Sequence, residues 1–363
     1  MSSHTKTLRD CLVRHKPYIP CTSQTLGNTK SANWPGFTVS LWKEFNIRTL
    51  NESYGHILDT ALPPHIIDNV PSTEQLQGLT VIDDSGPFNI IGWNDKTVLP
   101  LVKYAKQAMA LHVGAAVHHK HTSSDNSTVA KLATASKRTT IDHIIELGNY
   151  RRDVLVVGLG RTSVKWRGST LIKDPASANN EQEWPVRQLA NLCSKAGTRY
   201  GYIQTDQELV ACCFGATPPS KSAEAWSDWT ARVMPVPWNT ELDELGEMSN
   251  GPRAGLNSYL TTELALWWLC MLSLSDGHRQ LVKNDEIVPI DTWDTLGLID
   301  GSVWAHQHRY SAFVKPTADP TIQAAVTVGG IAGGESMPTP SLGNVNVDVR
   351  LQTDFWFHYN NGN

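Results

Sequence analysis

The sequence predicts an α/β protein in which helices flank a central mixed β-sheet, and three observations support this fold class. Runs of β-prone residues come in two pairs joined by short turns. Segments with apolar residues at helical spacing precede and separate these pairs. A further segment around Trp267 and Trp268 is apolar nearly all round, as a buried helix is. The order helix, hairpin, helix, hairpin is typical of an α/β sandwich, and 363 residues suffice for a large core.

The N-terminal third contains the first predicted helix. Residues 1–87 carry scattered Pro, Asn and Ser between short apolar patches, which predicts an irregular or partly helical extension. A helix is expected from residue 94, with Asn94 or Asp95 as its cap, because a helical apolar period follows. Its apolar positions are Leu101, Val102, Ala105, Ala108 and Met109. The polar run at residues 118–126 predicts a loop after this helix.

The central part predicts two strand pairs with a helix between them. Residues 139–147 and 153–157 are β-prone, and the sequence GNYRR between them suits a hairpin connection. After a polar loop at residues 173–183, a helix is expected at 185–196, with Pro185 in its first turn. Residues 199–204 and 208–214 form the second strand pair around a three-residue turn.

The last part combines loops with the apolar helix. A loop rich in proline and acids is expected at residues 218–255, a buried helix at 260–274, and a loose Gly/Pro-rich tail at 316–363. The predicted organisation is therefore an extension at 1–87, an α/β domain at 88–315 and a tail at 316–363.

Composition limits the partners and the compartment. A net charge of −4 and a pI near 6.3 give no global attraction to phosphate, which disfavours nucleic acid as a partner. We interpret a local basic strip as solvated surface; it contains Lys131, Lys137, Arg138, Arg151, Arg152, Arg161, Lys165 and Arg167. Without an apolar membrane segment or a signal core, we expect a soluble intracellular protein, cytoplasmic or nuclear. Six cysteines without a CxxC pair indicate reduced thiols.

Two local patterns resemble cofactor sites, and we interpret both as structural. Residues 158–163, GLGRTS, begin like a dinucleotide-binding loop, but Ser163 replaces the third glycine and no helix is predicted to follow. His118, His119 and His121 lie in a Ser-rich stretch without a second ligand cluster, so we interpret them as solvated. His306 and His308 share strand parity but lack a third ligand. We therefore predict neither a nucleotide cofactor nor a resident metal.

Seven short segments, taken in order, carry a family resemblance. They are Trp93 with Asn94, residues 141–144, 156–158, 187–190, 198–210, 236–238 and 264–269. The block at 198–210, TRYGYIQTDQELV, is the most specific of them. In this order the segments resemble a group of filamentous-fungal proteins with a PD-(D/E)XK, restriction-endonuclease-like core. The resemblance covers roughly residues 88 to 275.

The resemblance implies a site for metal-dependent phosphodiester hydrolysis, in which carboxylates hold a divalent ion and a lysine lies near the attacking water. Most of that site is replaced in this sequence. In the family an acid precedes Trp-Asn on the first helix, where this chain has Ile90, Ile91 and Gly92. The acid-x-Lys of the second hairpin strand corresponds to Leu159, Gly160 and Arg161.

Two members of the implied site are retained. The Pro-Asp pair of the first hairpin strand corresponds to Ile141 and Asp142, so the aspartate remains. Gln188 occupies the helix position that often completes such a site. One carboxylate is too few to hold a catalytic metal, because apolar residues cannot ligate it.

Three functions follow from this comparison, and we favour the first. The first is a nuclease-dead protein whose cleft serves as a binding or interaction module for a protein or a small apolar ligand. The second is a repurposed enzyme, for example of fungal secondary metabolism, with Asp142 as acid or base. Its apolar cleft would be lined by Ile90, Trp93, Leu159 and Trp166. The third is a Mg²⁺-dependent nuclease with migrated ligands at Glu146 or Asp153 and with Arg161 or Lys165 as the cation; Mg²⁺ is expected only in this case.

Overall fold

The architecture was derived from a computed structural model, which describes residues 5–24, 27–122, 130–132, 140–148, 153–173, 180–219, 225–239, 259–299 and 303–317. Nearly all of these belong to one compact unit, Met1–Pro316. Of the predicted tail, residues 318–363 lie outside the described residues. The helices are α1 (Leu8–Leu12), α2 (Ile47–Leu58), α3 (Pro64–Ile67), α4 (Gly86–Ala108), α5 (Gly168–Lys173), α6 (Asn180–Ala196) and α7 (Thr262–Leu274). Two short 3₁₀ helices lie at Thr73–Leu76 and Asn284–Glu286.

The strands form one large mixed sheet and two small ones. They are β1 (Phe37–Leu41), β2 (Ala116–His121), β3 (Ala130–Lys131), β4 (Thr140–Ile141), β5 (His143–Gly148), β6 (Asp153–Gly160), β7 (Tyr200–Gln204), β8 (Glu208–Thr217), β9 (Ser227–Pro237), β10 (Trp293–Ile299), β11 (Val303–His308) and β12 (Val314–Thr317). The large sheet has the order β1-β9-β8-β7-β6-β5-β2. The pairs β1/β9 and β6/β7 are parallel and the other four are antiparallel. This confirms the predicted α/β class with a central mixed sheet.

Helices cover both faces of the large sheet. On one face, α4 and α7 pack against β5, β6 and β7 together with the N-terminal helices α1 and α2. On the other face, α6 packs against β6 and β7. All thirteen residues of α7 are buried, which confirms the helix predicted from its apolar circumference. No helix among the described residues is long and apolar enough to cross a membrane.

The predicted strand pairs are confirmed, but two of the three predicted helices, α4 and α6, begin earlier than expected. β5 and β6 pair antiparallel, and so do β7 and β8. α4 begins at Gly86 with Pro87 in its first turn, so Asn94 and Asp95 lie inside the helix and cap nothing. α6 begins at Asn180, so Pro185 lies inside this helix as well. The first turn of α6 is polar and resembles a loop, and α4 begins with Gly86 and Pro87, two residues that are also typical of turns.

Two strands of the large sheet lie where loops were predicted. β2 occupies residues 116–121, and its polar side chains are tolerated because it is the edge strand next to β5. β9 lies within the segment expected to be a loop and pairs with β8 on one side and β1 on the other. Because β1 comes from the first 87 residues, that segment contributes to the same sheet and core as the rest.

Gly158 has a structural role in this sheet. His143, Gly158 and Tyr202 lie side by side on β5, β6 and β7. A Cβ atom on Gly158 would lie 2.7 Å from the Tyr202 hydroxyl and 2.5 Å from its ring. Gly158 therefore makes room for the Tyr202 side chain. Turns separate β6 from α5, so no helix begins directly after the glycines as it does in a nucleotide-binding loop. All six cysteines are free thiols, as predicted.

Candidate functional site

Three of the four predicted catalytic residues lie together at the end of the β5/β6 hairpin. Asp142 occupies the bend between β4 and β5, and its Oδ2 accepts a hydrogen bond from the Gly160 amide at 2.9 Å. Arg161 Nη1 donates to the same oxygen at 3.3 Å, and its Nη2 donates to Gln188 Oε1 on α6. The Arg161 guanidinium therefore contacts both Asp142 and Gln188, the two residues that the resemblance predicts at a metal site.

This bridge determines the chemistry of Asp142. Burial raises the pKa of the Asp142 carboxyl, and the Arg161 charge and the Gly160 amide only partly offset that effect. Arg161 also donates to the carbonyl of Gly160, which fixes the guanidinium further. Since an arginine keeps its proton in proteins, the pair is an ion pair and not an acid with a base beside it.

The other charged residues considered for this site have partners elsewhere. Lys165 on the loop after β6 pairs with Asp84, so the structure does not bring it to Asp142. Glu146 pairs with Lys120 on β2 at 2.8 Å. Asp153 pairs with Arg279 at 3.1 Å. Neither acid joins Asp142 as a second carboxylate.

The predicted apolar cleft is closed at most of its positions. Leu159 and Trp166 are fully buried in the core on the α6 side of the sheet. Ile90 is buried in a separate cluster with Trp93 and Trp238. Of the four predicted lining residues, Trp93 lines a cavity that the described residues form along α4, whereas Ile90, Leu159 and Trp166 are packed in the core. Large apolar side chains beside the sheet are buried by the helices that cover it.

That cavity has a volume of about 330 Å³ and lies along α4. It is lined by Gln75, Leu76, Leu79, Phe88, Asn89, Gly92, Trp93, Lys96 and His121. Apolar side chains form much of its wall, whereas Lys96 and His121 place positive or titratable groups at it. A mixed lining of this kind suits a small molecule with an apolar part and a charged group.

A second polar cluster, which the sequence did not predict, lies beside the cavity on the α4 face of the sheet. Asp95 of α4 has a side chain that is only 2% exposed. Its Oδ1 lies 2.7 Å from His143 Nε2, and the hydroxyl of Tyr202 lies 2.7 Å from His143 Nδ1. A buried chain of three hydrogen-bonded side chains therefore holds the Asp95 carboxylate in one orientation.

The free oxygen of Asp95 faces two histidines of β2. His119 and His121 lie two residues apart on the strand, so both side chains are on the same face. Asp95 Oδ2 is 3.3 Å from His121 Nδ1 and 3.9 Å from His119 Nε2. Among the residues that the structure describes, these three form the one group of at least three potential metal ligands whose atoms lie within 4.8 Å. They belong to a strand and a helix, and not to the solvated loop that the sequence predicted.

Electrostatics favour an ionised acid in this cluster. Burial alone raises the pKa of Asp95, but the hydrogen bond and charge of His143 and the proximity of His121 and His119 outweigh it, so the pKa falls to about 2. Burial lowers the pKa of His119, which favours its neutral form. The contact with Asp95 raises the pKa of His121. The cluster therefore has an ionised carboxylate beside one histidine whose neutral form is favoured, His119, and one whose protonated form is favoured, His121.

The most specific block of the resemblance has a structural role here. Gln204 accepts a hydrogen bond from Asn94 at 2.9 Å, which joins β7 to α4. Asp206 accepts hydrogen bonds from the backbone amide and the hydroxyl of Ser163, at 2.8 and 2.6 Å.

His308 is buried and hydrogen-bonded to Ser311 and the carbonyl of Ile290, so it does not join His306 in a ligand pair.

Comparisons with models of protein families, with curated proteins and with solved structures found no match to this chain.

Proposed function

We propose that this protein is a nuclease-like protein of the PD-(D/E)XK type that no longer hydrolyses phosphodiesters and retains the fold as a binding module. One observation carries this proposal: the Arg161 guanidinium lies between Asp142 and Gln188. A nuclease of this type needs a divalent cation at such a carboxylate. In this chain a permanent side-chain cation compensates the carboxylate instead.

The arrangement of elements supports the same proposal. The helix with Trp93 and Asn94, the hairpin with Asp142, the helix with Gln188 and the strand pair at 198–210 meet around one part of the mixed sheet. A Mg²⁺ ion at Asp142 would be repelled by the adjacent guanidinium. Displacing Arg161 would also leave its charge without the acceptors that now satisfy it.

The geometry gives less support to the two alternatives. A nuclease with migrated ligands needs Glu146 or Asp153 near Asp142, and each of these is paired with a basic residue elsewhere. An enzyme acting on an apolar molecule at Asp142 needs the apolar cleft, and Leu159 and Trp166 are buried in the core. Binding without chemistry at Asp142 agrees best with these contacts.

The cavity along α4 is the proposed binding site. Its volume of about 330 Å³ lies at the lower end of the range for small-molecule sites. The apolar wall around Trp93 would contact the body of the ligand, and Lys96 would attract a negative group. The proposed ligand class is therefore a small organic anion with an apolar part.

A cleavage assay tests the loss of nuclease chemistry. Purified full-length protein is incubated with single-stranded DNA, duplex DNA and RNA in the presence of Mg²⁺ or Mn²⁺, with Asp142→Asn as the matched control. We expect equal background cleavage by both proteins. Metal-dependent cleavage that Asp142→Asn abolishes would overturn the proposal.

A ligand screen tests the binding role. Thermal unfolding is measured with a panel of small organic anions on the wild-type protein and on Asn89→Trp. Asn89 is an exposed residue at the cavity, so a tryptophan there would obstruct the cavity without entering the core. We expect compounds that raise the Tm of the wild type and do not raise that of the variant. If no member of the panel acts, or if every active compound acts equally on both, the cavity is not the binding site.

A further inference from the structure

We propose that Asp95, His119 and His121 form a binding site for one divalent transition-metal ion, with Zn²⁺ as the best-fitting ion. This site lies on the α4 face and edge strand of the sheet and uses none of the residues at Asp142. It is therefore separate from the Asp142 site, whereas His121 also lines the cavity proposed for ligand binding. The Zn²⁺ titration has a different readout from the cleavage assay and the ligand screen, so failure of one proposal is distinguishable from failure of the other.

The distances between the potential ligand atoms fit such an ion. Zinc bonds to imidazole nitrogen and carboxylate oxygen are about 2.0–2.2 Å long, so tetrahedral ligand atoms lie about 3.4 Å apart. Asp95 Oδ2 is 3.3 Å from His121 Nδ1 and 3.9 Å from His119 Nε2. All three ligand atoms lie within 4.8 Å of one another. A small rotation of the two partly exposed imidazoles would bring them to bonding distance.

The oxygen that faces the histidines has no hydrogen-bond partner. Asp95 Oδ2 is buried, and no donor reaches it with hydrogen-bond geometry. Leaving a buried charged acceptor without a partner is costly, so such atoms in native structures call for a specific explanation. A cation between Asp95, His119 and His121 would satisfy this oxygen.

The remaining oxygen of Asp95 is held as metal-binding carboxylates usually are. His143 contacts Oδ1 at 2.7 Å, and Tyr202 contacts His143 at 2.7 Å. Outer partners of this kind orient a ligand and tune its basicity. In this arrangement Oδ2 stays directed toward β2, where the two histidines lie.

The types of ligand select the class of ion. Two imidazoles with one carboxylate suit Zn²⁺ and other first-row transition metals, whereas Mg²⁺ and Ca²⁺ prefer oxygen ligands alone. Three protein ligands leave a fourth position open. His121 also lines the cavity along α4, so we expect water or a bound anion to approach the ion from that side.

The test uses untagged full-length protein freed of metal with a chelator. Zn²⁺ is titrated calorimetrically, and Co²⁺ is added separately because its visible absorption reports coordination by nitrogen and oxygen. The variants are His119→Ala and His121→Ala, both at partly exposed positions. His118→Ala is the matched control, because it removes an exposed imidazole from the same strand outside the cluster.

We expect one equivalent of Zn²⁺ to bind to the wild type and to His118→Ala. The Zn²⁺ affinity of each cluster variant should fall by more than ~10–100-fold, which is the typical effect of losing a residue that only hydrogen-bonds to a metal ligand. The Co²⁺ absorption should disappear in the same variants. The proposal is overturned if the wild type binds no Zn²⁺, or if His118→Ala loses as much affinity as His121→Ala. Mg²⁺ should not compete with Zn²⁺, and effective competition would also contradict the assignment.

Discussion

Replacing Arg161 with methionine tests the role of the ion pair at the former catalytic position. Methionine keeps an apolar stem of similar length but removes the guanidinium. The side chains of Arg161 and Asp142 are 14% and 22% exposed, so the pair lies between a surface pair and a buried pair. Surface pairs contribute about 0–1 kcal/mol, whereas breaking buried pairs costs about 3–5 kcal/mol. We therefore expect Arg161→Met to lower the free energy of unfolding by about 2–3 kcal/mol near neutral pH.

The effect should depend on pH in a defined direction. The pKa of Asp142 in the folded protein is raised above its ordinary value, chiefly by burial. For such a group the stabilisation is complete below the unfolded pKa and is lost as pH rises through the folded pKa. Removing Arg161 removes the charge that now limits this rise, so the folded pKa increases further. The variant should lose more stability than the wild type as pH increases from about 4 toward neutral.

Denaturant unfolding at about pH 4.5 and about pH 7.5 measures both free energies. The difference between variant and wild type should be clearly larger at the higher pH. In an Asp142→Asn background, Arg161→Met should cost less by about 1 kcal/mol or more, because the charge partner is already absent. An equal cost at both pH values, together with additive costs in the double variant, would refute the reasoning.

The buried chain at Asp95 gives three further predictions. His143→Leu should lower the free energy of unfolding by about 3 kcal/mol or more, measured with urea, because Asp95 and the Tyr202 hydroxyl both lose their partner; a cost no larger than that of Tyr202→Phe would contradict this. Asp95 has a pKa of about 2, below its ordinary value, so its ionised form contributes on the order of 2 kcal/mol to stability at neutral pH, and this contribution is lost as pH falls through about 2. The cost of Asp95→Asn should accordingly shrink in acid, and a pH-independent cost would disprove it. Gly158→Ala should cost about 1–3 kcal/mol, since the new Cβ would lie against the Tyr202 ring, and relief of this cost by Tyr202→Ala would support the contact.

The elements that were predicted correctly from the sequence are those in which burial determines the positions of the apolar residues. α7 is apolar on all sides because it is buried on all sides. The strands β5 to β8 lie in the middle of the sheet, where side chains on both faces must be apolar. At the edge of the sheet this constraint is weaker, and β2 could keep four consecutive polar residues that resembled a loop.

The part of the site that depends on the pairing of β5 with β6 could be predicted from the sequence. Asp142 directly precedes β5 and Arg161 directly follows β6, so their proximity follows from the predicted pairing of these two strands. The contact of Arg161 with Gln188 depends on how α6 packs, and the resemblance supplied that residue. Leu159 and Trp166 were predicted to line a cleft, but sequence alone does not show which helix covers them.

The cluster at Asp95 required long-range information. Asp95 and His121 come from different elements, and the predicted helix start placed Asp95 at a cap. Two features of the sequence would have indicated the site. His119 and His121 alternate as the residues of a strand face do, and Asp95 is the only acidic residue between residues 86 and 108.

The central claim is that Arg161, and not a metal ion, compensates Asp142. The most direct measurement is an X-ray structure of crystals grown with excess Mn²⁺, with anomalous scattering used to locate the ion. We expect no anomalous peak at Asp142 and an Arg161 guanidinium in contact with both Asp142 and Gln188. A peak at a coordination distance of about 2.1 Å from Asp142, with Arg161 turned away, would show that a metal ion takes the place of the guanidinium.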